Sequence, residues 1–217
     1  KKIFIYFFLL ITVCSINNIK FEDFLTKNIK NIYVSGLNEI DNNILLEDLK
    51  KLNLKNIFFL KNKEISKIIE QNSLIEEYKI FKKYPSTLDI EIEKTSFLAR
   101  INQSGKNYII GSNGKLLSSN HTKQYLPYIF GKPDIENFIK FKKIIDRSKI
   151  SYEEIKNIYF FPSNRWDLQL KNNIVLKLSE EYPQKALNDA FQFLNSNNFK
   201  NLRIVDLRVK NQIIIND

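Results

Sequence analysis

Apolar positions follow three different rhythms along the chain. The first stretch has almost no polar interruption: after Lys1 and Lys2, residues Ile3 to Ile16 are apolar apart from Thr12 and Ser15, and Asn17-Asn18 closes the run. A run of about 14 residues falls short of the roughly 20 that cross hydrocarbon comfortably. Its basic start and apolar core suit either a cleaved secretory signal or an uncleaved anchor. The membrane-embedded set is Ile3, Phe4, Tyr6, Phe7, Phe8, Leu9, Leu10, Ile11 and Val13. In both readings the basic flank stays cytoplasmic and the rest of the chain is exported. Residues 1–18 are therefore read as the anchor region, and 19–28 as a juxtamembrane spacer.

The second stretch, residues 29–95, mixes the two regular periods. A strand at Asn31 to Val34 ends at Ser35-Gly36-Leu37. Asp41 is placed as an N-cap, and Ile44, Leu45, Leu49 and Leu52 follow at helical spacing. Ile57 to Leu60 is an apolar patch. Ile65, Ile68 and Ile69 make a second helical stripe. Ile75 to Lys82 is a strand, Tyr84-Pro85-Ser86 a turn, and Thr87 to Glu93 alternates with Leu88, Ile90 and Ile92 on one face. The expected order is β-α-α-β-β, a three-stranded sheet covered on one face by two helices.

The third stretch, residues 96–217, is dominated by period two. Strands are expected at Phe97 to Ile101, Tyr108 to Ile110, Lys115 to Leu117, Ile155 to Phe161, Trp166 to Leu170 and Ile174 to Leu178. Lys171-Asn172-Asn173 is a hairpin signal between the last two. Helices are expected around Ile135, Phe138, Ile139 and Ile145, and from Pro183 through Leu194. Arg203 to Lys210 alternates with Val205, Leu207 and Val209 inward and Asp206 and Arg208 outward. Ile213 to Ile215 is a short last strand. The expected fold class is α+β: an N-terminal transmembrane helix, a β-α-α-β-β unit, then a β-rich domain with helices packed on an antiparallel sheet.

Composition narrows the chemistry. Net charge is +10, but the excess is lysine: 29 Lys against 5 Arg. Lys, Ile, Asn, Phe and Tyr supply 116 of the 217 residues; their A/T-rich codons explain the bias without a ligand. Scarce arginine argues against nucleic-acid readout. One Cys (Cys14) and one His (His121) exclude disulfide frameworks, multi-Cys or multi-His metal sites and most Ser-His or Cys-His catalysis. Ser112-Asn113-Gly114-Lys115 matches a Ser-x-x-Lys acylation motif, yet that chemistry needs a helix and Asn-Gly signals a turn. No catalytic residue, metal site, cofactor or small-molecule substrate is expected.

Residues Ile32-Tyr33-Val34-Ser35-Gly36-Leu37, two short helices and then Lys83-Tyr84-Pro85-Ser86-Thr87-Leu88-Asp89-Ile90 resemble a POTRA domain of the FtsQ/DivIB cell-division family. Asn113-Gly114 resembles the family's turn after a strand, and Leu126-Pro127-Tyr128-Ile129-Phe130-Gly131 its Leu-Pro-x-hydrophobic-x-Gly segment. Trp166-Asp167-Leu168-Gln169-Leu170 with Ile174 to Leu178 is similar to its Trp-x-Leu-x-Leu hairpin, and Val205-Asp206-Leu207-Arg208 to its Val-Asp-Leu-Arg strand. The resemblance tips residues 1–18 toward an uncleaved anchor. It implies a non-catalytic, single-pass inner-membrane scaffold with periplasmic domains, which binds FtsB and FtsL-type proteins at the division septum. It also implies a binding edge at Val205, Asp206, Leu207, Arg208, Val209, Lys210 and Asn211, with Arg165 and Trp166 nearby. Val209 departs from the family pattern, which has Tyr there, and the family's Arg pair before Trp is reduced to Asn164-Arg165. The sheet edge at Thr87 to Glu93 is a second expected surface. The competing reading is a soluble periplasmic POTRA module that assists outer-membrane or secretion assembly.

Overall fold

The computed structural model describes residues 2–16, 28–52, 54, 56–196 and 202–216 of the 217. The apolar start forms helix α1, Lys2–Ile16. It is apolar on every side, and its 15 residues make an axis of about 22 Å. Among the described residues no helix is long and apolar enough to cross a membrane. Most of the expected spacer, residues 19–27, and the last two anchor positions, Asn17 and Asn18, lie outside the described residues.

Two compact units follow the chain order, Lys1–Lys94 and Thr95–Asp217. In the first, β1 (Asn31–Ser35), α2 (Glu39–Lys50), α3 (Asn62–Gln71), β2 (Ile75–Lys83) and β3 (Thr87–Lys94) realise the β-α-α-β-β order. The sheet order is β1-β3-β2. β1 runs parallel to β3, and β2 pairs antiparallel with it. β3 is thus the central strand, which corrects the expectation of a free edge at Thr87 to Glu93: both its sides are already hydrogen-bonded. The N-cap also moves. Asn38 caps α2, accepting from the Asp41 N–H at 2.9 Å, so Asp41 sits inside the first turn. There its charge suits the helix dipole. Leu45 and Leu49 of α2, Ile65 and Ile69 of α3, and Leu88, Ile90 and Ile92 of β3 share one core. The chain leaves β1 through Gly36 at φ +109°, where a Cβ would lie 1.8 Å from the Ile92 carbonyl oxygen; only glycine fits.

The second unit contains β4 (Phe97–Gln103), β5 (Lys106–Gly111), β6 (Leu116–Ser118), β7 (Tyr128–Phe130), α4 (Ile135–Asp146), β8 (Ile155–Phe160), β9 (Trp166–Leu170), β10 (Val175–Leu178), α5 (Pro183–Ser196), β11 (Ile204–Leu207) and β12 (Ile214–Asn216). They form a nine-stranded sheet in the order β12-β11-β10-β9-β8-β7-β4-β5-β6. The sheet is mixed, not antiparallel as expected. β7–β8 and β10–β11 are parallel because α4 and α5 are crossover helices that return the chain to the same end of the sheet. β4–β7 is parallel as well. Phe138, Phe141 and Ile145 of α4, and Ala186, Leu187 and Ala190 of α5, pack with Ile101, Ile129, Ile158, Leu168, Leu176 and Val205. The strand residues between them point to the opposite, helix-free face.

Candidate partner-binding edge

The C-terminal end of the nine-stranded sheet is built by a hairpin. β11 is hydrogen-bonded on both sides, parallel to β10 and antiparallel to β12. The expected edge at Val205 to Asn211 is therefore corrected. Val205, Asp206 and Leu207 form an interior strand, and Val205 and Leu207 are core. Arg208, Val209, Lys210 and Asn211 belong to the connection to β12. That connection closes with the Gln212 N–H on the Val209 carbonyl and with Asn211 at φ +61°, a left-handed position that asparagine tolerates. Val209 points outward and is 49% exposed, against the expected inward position. The Asn211 amide oxygen accepts from Lys185 of α5, fixing the turn to the helix layer.

The terminal strand is β12. Among the described residues no strand pairs with its outer side. Ile214 is 52% exposed, and Ile213, Ile215 and Val209 are also exposed. An unpaired row of backbone groups beside aliphatic side chains is the surface on which an extended peptide completes a ladder. Ile213 to Ile215 is visible in the sequence as a last strand. What pattern reading missed is that the short turn after Val-Asp-Leu-Arg folds it back onto β11 and takes over the edge.

The strand register explains how Arg165 belongs to the same face. Asp167 opposes Lys177, Lys177 opposes Asp206, and Asp206 opposes Ile214. Directly paired residues share a face, so this row crosses four strands on the helix-free side. Arg165 bonds Asp167 at 3.1 Å, and Arg208 grips Asp206 through Nε (2.9 and 3.0 Å) and Nη2 (2.6 Å). The result is a band of alternating charge: Arg165, Asp167, Lys177, Asp206, Arg208. Strands two apart place the carboxylates of the band about 10 Å from each other. Lys177, which sequence reasoning did not single out, favours ionisation of both carboxylates.

The two ends of the band differ in kind. Hydrogen bonds from Arg208 hold the Asp206 carboxyl below its ordinary range, against a smaller opposing effect of burial. Asp167 is only 3% exposed. Burial pushes its carboxyl up, and the hydrogen bond from Arg165 only partly offsets this. Asp167 also accepts from the Leu178 N–H at 3.3 Å. Arg165 lies over the Phe161 ring, 4.1 Å from its centroid. Trp166 points the other way. It is 8% exposed and stacks on Phe141 at 4.6 Å and 6°. Its indole is core, and no part of it reaches the β12 edge.

The groups that sequence reading tested for chemistry do not assemble into a reaction centre. Ser112 lies in the turn after β5, its hydroxyl engaged with Thr95 Oγ1 (3.0 Å) and the Ser96 N–H (2.9 Å). His121 is exposed in a single 3-10 turn, Ser119–His121. Among the described residues no group of three or more His, Cys, Asp or Glu could hold a metal ion.

Comparison with known proteins bears directly on this arrangement. Residues 27–94 match the FtsQ-type POTRA domain, and residues 99–208 match the C-terminal domain of the cell division protein FtsQ/DivIB. The chain belongs to the FtsQ/DivIB family. FtsQ/DivIB proteins are non-catalytic scaffolds of the division machinery, and this chain carries both of their domains. The cell division protein FtsQ of Rickettsia felis is 26% identical over 194 residues, covering 86% of this chain and 71% of the relative. FtsQ of Rickettsia conorii is 25% identical over 194 residues with the same coverage. The major extracytoplasmic domain of the trans isomer of DivIB from Geobacillus stearothermophilus aligns with 49% of this chain and 99% of its own, at 14% identity and a TM-score of 0.36. The FtsQ/DivIB C-terminal match ends at Arg208, just before the turn that leads into β12.

Proposed function

We propose that this chain is a single-pass inner-membrane scaffold of the divisome that captures FtsB/FtsL-type partners as an added strand on β12. The apolar segment containing α1 is the tether, its basic start is cytoplasmic, and both folded units face the periplasm at the septum. One observation carries the partner site: among the described residues β12 is a terminal strand with no strand on its outer side, flanked by exposed Ile213, Ile214, Ile215 and Val209. A partner strand there gains backbone hydrogen bonds for affinity, while alternate side chains meet Ile214 and the Arg208 end of the charged band for specificity. The Asp206–Arg208 pair leaves Arg208 half exposed, so a partner carboxylate shares an already oriented guanidinium. The match of residues 99–208 to the FtsQ/DivIB C-terminal domain favours this reading over an outer-membrane assembly module.

The test is co-purification from dividing cells of the full chain and of the single variants Ile214→Pro and Ile215→Pro. One of these prolines removes a donor aimed at the partner, and the other loosens the hairpin that presents the edge. Loss of FtsB/FtsL-type partners from both variants is expected. Full retention by both rules out the β12 site. A reporter fused after Asp217 reads out in the periplasm if the tether is correctly assigned, and in the cytoplasm if it is not.

A further inference from the structure

One end of the β-α-α-β-β unit differs from the rest in both charge and exposed surface. The parallel β1–β3 pair and the antiparallel β2–β3 pair bring the start of β1, the end of β2 and the start of β3 to the same end of the sheet. The loop between α2 and α3 joins them: Lys82 Nζ donates to the Leu60 carbonyl at 2.7 Å, and the Lys30 N–H bonds the Ser86 carbonyl at 2.9 Å. Residues 28–31, 56–63 and 82–87 therefore form one tip. They contain Lys30, Lys61, Lys63, Lys82 and Lys83, with Glu64 at their border in the first turn of α3. The opposite end, by contrast, carries Glu39, Asp41, Glu76, Glu77, Glu91 and Glu93 against Lys79 and Lys94. Near the tip, Asp48 is paired with Lys51 and Asp89 with Lys83.

The same tip exposes aromatic rings. Phe59 is 77% exposed and Tyr84 is 56% exposed, and Phe58 stacks on Tyr84 at 4.6 Å. The rings are held by a built loop: the adjacent Ile57 is fully buried, and the Phe58 N–H is fixed by Asn56 Oδ1 at 2.8 Å. The chain enters the unit here too, because Asn28 forms an antiparallel bridge with Asn56. Eleven residues, 17–27, separate Asn28 from the end of α1 at Ile16, a reach of at most about 40 Å. A tip whose lysines outnumber the carboxylates at its border, Glu64 and Asp89, which exposes aromatic rings and to which the tether attaches, is matched to one surface chemistry. Rings of this kind settle at the headgroup level, and lysines beside them pair with phosphates.

We infer that the Phe58–Phe59–Tyr84 tip rests on the anionic phospholipid surface of the membrane that holds the tether. This rests on the anchored reading above and adds an orientation to it: the tip lies on lipid, and the acidic end of the unit points away. The tether limits distance only; the tip contact sets which way the unit faces.

The experiment uses the full chain in unilamellar vesicles of phosphatidylglycerol and phosphatidylethanolamine, with lipids brominated near the headgroup end of the acyl chain. Phe59→Trp places an indole reporter at the most exposed ring, and buried Trp166 in the unsubstituted chain serves as the baseline. The expected result is that the fluorescence added by Phe59→Trp loses on the order of half its intensity in brominated vesicles, as for a ring at the interface, while Trp166 is unchanged. Lys61→Glu with Lys63→Glu, or replacement of phosphatidylglycerol by phosphatidylcholine, is expected to reduce the quenching. Each lysine changes partition onto an anionic surface by about fivefold. A chain that floats with vesicles but shows no quenching of the indole at position 59 overturns the inference and leaves the tip to a protein neighbour. Quenching that ignores both the lysines and the lipid charge overturns the anionic part. A chain that fails to float removes the anchored reading itself, and the two failures are thereby told apart.

Discussion

Two strands of the second unit carry nearly the same local motif in opposite surroundings. Arg165 leads into β9 at Trp166-Asp167, and β11 runs through Asp206-Leu207 to Arg208; each pairs an arginine with an aspartate two residues away on the helix-free face. At β9 the middle residue, Trp166, is driven into a stack with Phe141, and the aspartate is sealed from solvent. At β11 the aspartate stays partly exposed and the arginine lies half open, next to a terminal strand. Position within the sheet, not composition, separates the pair that is sealed from the pair that lies open. An ion pair in the sheet interior is costly to disturb. One near the edge contributes little to stability and is available for recognition.

The largest expected effect tests the β9 side. Trp166→Ala should lower unfolding free energy by about 3–5 kcal/mol, read from denaturant midpoints, while the fraction still folded keeps its partner affinity. A stable Trp166→Ala protein that has lost its partner would erase the contrast. Next comes Asp167→Ala, which strands Arg165 and leaves the Leu178 N–H without its acceptor. A loss of about 2–3 kcal/mol is expected, again without a specific effect on partner binding. The β11–β12 side should behave in reverse. Ile214→Pro should weaken partner binding by about tenfold or more in a titration, with stability held within about 1 kcal/mol, because the strand is short and exposed. Arg208→Ala should reduce binding by about threefold, with stability shifted by less than about 1 kcal/mol.

The smallest effect is in the pH dependence, and its sign differs between the two pairs. Asp206 has a lowered carboxyl pKa, so it contributes stability above its unfolded value, near 4, and that contribution is lost as pH falls through the folded value. Asp167 has a raised carboxyl pKa, so ionising it counts against the fold. Its penalty is present above the raised value and is relieved as pH falls through it toward the ordinary value. Denaturation profiles between about pH 3 and 6 should therefore become flatter at the acid end in Asp206→Asn and steeper in Asp167→Asn. Identical profiles for the two variants would show that burial does not distinguish them.

Much of this was legible from the sequence, because period and punctuation are local. Leu88, Ile90 and Ile92 announced a core-facing strand, Lys171-Asn172-Asn173 a hairpin, and Pro183 a helix start; the structure has β3, the β9–β10 turn with Asn173 at φ +67°, and α5 at those places. Strand neighbours were harder, since they depend on residues far away. That β3 is central and that β12 covers β11 follow from pairings across 56 and about ten residues, respectively. One sign was available and unread: a helix between two strands implies a parallel crossover, so α4 and α5 already argued against a wholly antiparallel sheet. At the candidate site, alternation placed Val205 and Leu207 inward correctly but carried Val209 with them. Alternation fails there because the strand has ended and Asn211 turns the chain.

The claim on which the functional account depends is that a partner completes the sheet at β12. Hydrogen–deuterium exchange of the full chain, alone and with an FtsB/FtsL-type partner, tests it most directly. The account predicts slowed amide exchange in Ile214–Asn216 on complex formation, with the amides of Trp166–Leu170 unchanged. Protection at Trp166–Leu170 with β12 left as it was would contradict it.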